Sequence, residues 1–146
     1  MKRKYGFLIV SALLVCISLI AMWSNREQPM CRLLPAGDMR SCASYGYYDG
    51  MESVVAAAIP QENIKDLFDL TTVKKGTSSK VLPSACFEIR ALYGHETYII
   101  VVGADKSISV ASIDKLESQT FWIDTSGKLF ENLYRIHIEN GGTKFP

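Results

Sequence analysis

From Tyr5 to Trp23 the chain runs nineteen residues without a charged side chain. As a helix this run extends roughly 28 Å, close to the ~30 Å hydrocarbon core of a bilayer. A helix packed in a water-soluble core would carry a polar stripe at a 3.6-residue period, whereas only Gly6, Ser11 and Ser18 interrupt this surface. Lys2, Arg3 and Lys4 precede the run, and Arg26 and Glu27 cancel just after it, so the positive-inside rule leaves the N-terminus in the cytoplasm and exports the rest. A cleaved signal peptide has a shorter apolar region and small residues at its cleavage site; Ile20 to Ser24 offers no such pattern, and Trp23 suits an interfacial anchor. Cys16 is preceded by Leu14 and Val15, not by the small residues of a lipid-attachment site. The expectation is an uncleaved transmembrane signal anchor over residues 5–23, with residues 1–4 cytoplasmic and the C-terminal domain periplasmic. Cleavage is the minority alternative. The short Met-Lys-Arg-Lys start and the absence of an Asn-x-Ser/Thr site point to a bacterial inner membrane.

Composition bounds the remainder. Of 16 basic residues three precede the anchor, while all 15 acidic residues follow it, so Ser24 to Pro146 carries a charge near −2. Its length is that of one domain with a real core. With no basic excess or stripe, nucleic acid is excluded as an expected partner. Cys31, Cys42 and Cys86 lie beyond the anchor, where an oxidising compartment permits one bridge and one leftover thiol. Cys31 with Cys42 closes the shorter loop, worth about 3 kcal/mol in the chain-entropy picture; Cys86 is the alternative partner for either. No Cys-x-x-Cys pair is present, which argues against a thiol oxidoreductase and a zinc knuckle.

Residues 24–48 contain Pro29, Pro35, Gly37 and Gly46 with little apolar periodicity, and read as an irregular stalk segment. Residues 49–146 read as the periplasmic domain. Asp49 and Glu52 resemble a capping box for a short helix through Val54, Val55, Ala57 and Ala58, ending before Pro60. Ile64, Leu67 and Phe68 share one face of a second helix. Beyond Pro83 the period becomes two. Phe87, Ile89 and Ala91 face one way and Glu88 and Arg90 the other; Gly94-His95 turns the chain into "ETYIIVV", whose continuous apolar run suits a central strand covered on both faces, and "SISVASI" completes a three-stranded antiparallel meander. "QTFWID" is a fourth strand. "KLFENLYRIHIEN" fits a helix at its start, but Tyr134, Ile136 and Ile138 alternate, which favours a strand at its end. The expected fold is α+β: an N-terminal transmembrane helix, then two short helices and a four- to five-stranded antiparallel sheet.

No catalytic constellation emerges. His95-Glu96 lacks the second histidine of a His-Glu-x-x-His metal site, and His137 reads as a solvent-facing strand residue. No serine stands in a Gly-x-Ser-x-Gly or Ser-x-x-Lys context. No catalytic residue, metal ligand or cofactor is therefore assigned. The best surface candidate is the aromatic cluster Tyr45, Tyr47, Tyr48 and Asp49, joined by Trp122, because tyrosine and tryptophan give rigid contact area at low entropic cost. In layout alone the chain is similar to small bacterial proteins that hold an α+β domain outside the inner membrane. The expected partners are the inner membrane, through residues 5–23, and another envelope protein or a toxin. The expected role is that of a non-catalytic binding protein, with immunity or inhibition of an envelope-acting toxin as its sharpest form. The alternatives are an accessory structural subunit of a secretion, conjugation or division machine, and a small periplasmic hydrolase built on His95 and Glu96.

Overall fold

The computed structural model describes residues 2–48, 51–53, 59–77 and 83–145, and the side chains of all of these except 2–8, 24 and 51–53. Helix α1 (Lys2–Ser24) is followed by a two-residue strand β1 (Gln28–Pro29), a turn of 3-10 helix (Met30–Leu33), β2 (Met39–Tyr48), β3 (Met51–Ser53) and α2 (Gln61–Leu70). Then come β4 (Thr72–Lys75), β5 (Ala85–Tyr93), β6 (Glu96–Gly103), β7 (Ser107–Ser112), β8 (Lys115–Asp124) and α3 (Leu129–Glu139). The strands form one sheet in the order β1-β4-β8-β7-β6-β5-β2-β3, with every neighbouring pair antiparallel. Without the short β1 pairing, the sheet has seven strands.

This architecture corrects the expected fold class in three respects. The sheet exceeds four or five strands because segments read as irregular or polar pair at its edges. β2 lies inside the expected stalk and pairs along β5 from Tyr48↔Ala85 to Met39↔Tyr93. Second, the segment read as ending in a strand is helix α3, which buries Leu129, Leu133, Ile136 and His137. That spacing of i, i+4, i+7 and i+8 is one helical face, and it outweighs the local alternation of Tyr134, Ile136 and Ile138. The expected helix through Val54 to Ala58 lies outside the described residues.

The third correction concerns the membrane. Among the described residues no helix is long and apolar enough to cross a bilayer. The transmembrane signal anchor over residues 5–23 is therefore corrected, and with it the single-pass inner-membrane and periplasmic placement that rested on it. Side chains of α1 from Ile9 to Trp23 are exposed.

One face of the sheet carries the core. Phe87, Ile89, Ile100, Val102, Ile108 and Val110 from the central strands form a single buried cluster with Ile64 and Phe68 of α2 and with Leu129, Leu133 and Ile136 of α3. α2 presents Ile64, Leu67 and Phe68 as the sequence spacing requires, with Ile64 and Phe68 fully buried and Leu67 partly so. The β8–α3 junction is set by one buried carboxylate. Asp124 accepts hydrogen bonds through Oδ1 from the Ser126 amide at 2.9 Å and the Ser126 hydroxyl at 2.7 Å, and through Oδ2 from the Leu129 amide at 2.9 Å. Lys128, the residue before α3, makes no side-chain cap, so Asp124 satisfies the helix's first orphan amide from four residues further back. Asp124→Ala is expected to destabilise the fold by about 2 kcal/mol, the scale of buried bonds to a charged acceptor, and Asp124→Asn by less. Urea denaturation followed by circular dichroism measures both, and equal midpoints for Asp124→Ala and wild type would contradict the assignment.

Candidate partner-binding surface

Directly paired residues project from the same face of a sheet, so the register defines the side opposite the core. One row runs Tyr45↔Glu88↔Val101↔Ser109↔Phe121 across β2, β5, β6, β7 and β8. A second runs Ala43↔Arg90↔Ile99↔Ala111. On the third, Tyr47 opposes Cys86, and Ser107 and Lys74 flank Ile123. Ile99, Val101, Ala111, Phe121 and Ile123 thus form an apolar patch over β6, β7 and β8. Both α2 and α3 pack on the other side, and no described helix covers this one. Ile99, Val101 and Phe121 are half-buried and Ile123 is exposed, although they stand on central strands.

A charged pair borders the patch. Arg90 Nε donates to Glu88 Oε1 at 2.6 Å, and the Arg90 guanidinium lies 4.9 Å from the centre of the Tyr45 ring. The hydrogen bond and charge of Glu88 hold the Arg90 pKa above its ordinary value. Arginine stacked on tyrosine beside apolar side chains is the composition from which binding hot spots are drawn. Cys86 lies on this face beside its cross-strand partner Tyr47, buried, and its thiol is pushed up to about 11, first by burial and then by Glu88 and Asp105.

The structure separates the surface residues expected from the sequence. Tyr45 and Tyr47 share the outer face. Tyr48 points to the core side and packs against Phe145, ring centres 6.3 Å apart, while Trp122 packs against the core and donates from Nε1 to Thr120 Oγ1 at 3.0 Å. Asp49 lies outside the described residues. What the sequence missed is the patch itself: "YIIVV" reads as a strand covered on both sides, yet Ile99 and Val101 face outward. Alternating burial across β6 was the only available signal, and an unbroken apolar run hides it.

All four cysteines are free thiols. The β2–β5 register sets Cys42 opposite Ala91 and Cys86 opposite Tyr47. Cys42 and Cys86 are therefore five positions apart along the ladder, about 17 Å at 3.4 Å per residue, beyond the ~7 Å Cα separation a bridge tolerates. Cys31 is exposed on the 3-10 turn, in a cleft of about 100 Å3 with Lys65, Asp69 and Tyr93 among its lining residues. Burial and then a hydrogen bond to Asp69 raise the Cys31 pKa, the reverse of nucleophile activation. Burial, with Asp69 next, pushes the Tyr93 hydroxyl up to about 12. His95 is exposed in the β5–β6 turn, and the carboxylate of Glu96 accepts from Tyr98 Oη at 2.6 Å, so the structure engages Glu96 with tyrosine. His137, expected in solvent, is buried on α3. Among the described residues no three His, Cys, Asp or Glu side chains converge as metal ligands. Comparison with family models, curated proteins and solved structures finds no match.

Cys86 and Tyr93 carry a pH prediction. Both are uncharged when protonated, and both hold the proton to higher pH in the folded chain than their ordinary values of 9.0 and 10.0. Above pH 9 the unfolded chain ionises first, so stability falls as pH rises, through about 11 for Cys86 and about 12 for Tyr93. Cys86→Ala is expected to flatten the decline between pH 9 and 11 in urea midpoints measured across that range; an unchanged slope would place the titration elsewhere.

Proposed function

We propose that this chain is a non-catalytic protein-binding domain that engages its partner through the face of the sheet opposite α2 and α3. The observation that carries this reading is the in-register patch of Ile99, Val101, Phe121 and Ile123, bordered by the Arg90–Glu88–Tyr45 cluster. Burying apolar area there contributes about 25 cal/mol per Å2 removed from water. The Arg90–Glu88 pair at its margin supplies direction and excludes mismatched charges. An inhibitor or immunity role toward a protein toxin is the sharpest form of the proposal, because a small domain without chemistry of its own acts by occupying another protein's surface. An accessory subunit of a larger assembly is the second reading. It draws support from the exposed apolar side chains of α1 from Ile9 to Trp23, since a helix apolar on all sides requires covering.

The test uses the full chain as bait in extract of the native cell, with Val101→Lys and Phe121→Lys beside wild type and Leu70→Lys as a control on the remote α2, where Leu70 is exposed. All four proteins are first compared by circular dichroism. The expected result is a stoichiometric partner recovered by wild type and Leu70→Lys and reduced at least tenfold by the two patch variants, the scale of losing a hot-spot contact. Equal recovery by all four would refute the assignment of the surface.

A further inference from the structure

On the helix-bearing side of the sheet, the chain beyond α3 turns back and lies in a groove of its own. The Gly142 amide donates to the His137 carbonyl at 2.8 Å. His137 Nε2 lies 3.0 Å from the Thr143 carbonyl oxygen; a carbonyl only accepts, so this nitrogen carries the proton. The Phe145 amide donates to Tyr134 Oη at 3.3 Å. The Phe145 ring is seated among aromatic rings, its centre 5.2 Å from Tyr134, 5.5 Å from Phe87 and 6.1 Å from His137. Gly46 of β2 forms the floor, where an added Cβ would stand 2.9 Å from the Phe145 ring. At Gly142 an added Cβ would collide with the His137 imidazole, so only glycine passes there. Thr143 and Lys144 face solvent.

These contacts differ from those that hold the rest of the fold. The segment adds no strand and enters no ladder. It is held by a buried imidazole, 1% exposed, gripping a main-chain carbonyl, and by one aromatic anchor two residues later. That combination of main-chain capture and a pocketed ring is how grooves recognise extended peptides. We propose that the groove formed by Gly46, Phe87, Tyr134 and His137 is a peptide-binding site, and that residues 142–145 are its internal occupant, exchangeable for a partner's extended segment of the form Gly-x-x-aromatic. The short connection from α3 gives the internal segment an effective concentration on the order of millimolar, so it blocks the groove until a competing segment displaces it. This site lies on the opposite side of the sheet from the outer patch, and either can fail without the other.

The probe is a fluorescein-labelled peptide of residues 141–146, Gly-Gly-Thr-Lys-Phe-Pro, titrated by fluorescence anisotropy into the full chain and into full-length Phe145→Ala. The variant keeps the tail but empties the aromatic seat. The expected result is saturable binding at least tenfold tighter to Phe145→Ala than to wild type, abolished when the peptide phenylalanine is replaced by alanine. A folded Phe145→Ala that binds no better than wild type overturns the proposal. Hydrogen exchange on the wild-type chain decides independently of how the variant folds. Exchange of the Phe145 amide, whose acceptor is the Tyr134 hydroxyl, at least tenfold faster than that of Asn140, which bonds back to Ile136 at the end of α3, shows the segment leaving the groove while the helix end stays closed. Exchange of both only through common global unfolding makes the segment a fixed part of the core and overturns the proposal.

Discussion

Phe87 stands near the start of β5, fully buried, and the rest of the domain is arranged around how it is covered. Its ring centre lies 5.4 Å from Phe130 and 5.4 Å from His137, both on α3, and 5.5 Å from Phe145. In the same buried cluster, the sheet contributes Ile89, Ile100 and Val102, and the helices contribute Phe68, Leu129 and Leu133. Tilted and edge-on ring pairs at these separations add to the burial of each ring. Because α3 must place its aromatic and aliphatic side chains over Phe87, its rotation is set, and that rotation turns His137 inward. The Asp124 carboxylate then determines where the helix begins.

Among the described residues, α2 and α3 cover one face of the sheet and no helix covers the other. An antiparallel sheet tolerates a solvated face when that face is polar, and here the half toward β2 is, with Tyr45, Glu88 and Arg90. The half toward β8 is richer in apolar side chains: Ile99, Val101 and Phe121 are half-buried there, and no described helix lies over them. The asymmetry between these halves is the physical basis for reading the surface as an interface. Contiguous apolar area on an otherwise polar face is what distinguishes a binding patch from the scattered exposed side chains of any protein.

Cysteine and histidine show how environment alters chemistry that composition suggests. Cys86, buried on β5, and Cys31, beside Asp69, both hold their protons more tightly than a free thiol. At Cys31 the charge of Arg32 favours the thiolate but is outweighed by burial and by Asp69, and at Cys86 burial, Glu88 and Asp105 all favour the thiol. His137 is two residues from each of Arg135 and Glu139 in sequence, yet its ring is enclosed by Phe87, Tyr134 and Phe145.

Local pattern alone was sufficient for the elements whose side chains obey one period throughout. Phe87, Ile89 and Ala91 alternate in β5, the Gly94-His95 turn follows, and β6 and β7 complete the meander at the expected positions. Ile64, Leu67 and Phe68 define the buried face of α2 in the same way. β2 was not legible, because Ser41, Cys42, Ser44 and Gly46 on its length carry no hydrophobic alternation; its strand character comes from the open edge of β5 beside it. The end of α3 satisfied two periods at once, and only packing over Phe87 selects between them. Tyr45 and Tyr47 were legible as surface, but the apolar patch beside them was not, since a continuous run of isoleucine and valine does not state which face will be covered. The sequence by itself determined the alternating strands, the first core face and the absence of a recognisable catalytic motif, because these depend on residue type and spacing along the chain. The tertiary structure decided the number of strands, the inward turn of His137, the seat of Phe145 and the side of the sheet on which α2 and α3 pack, because each depends on which surfaces meet across distant parts of the chain.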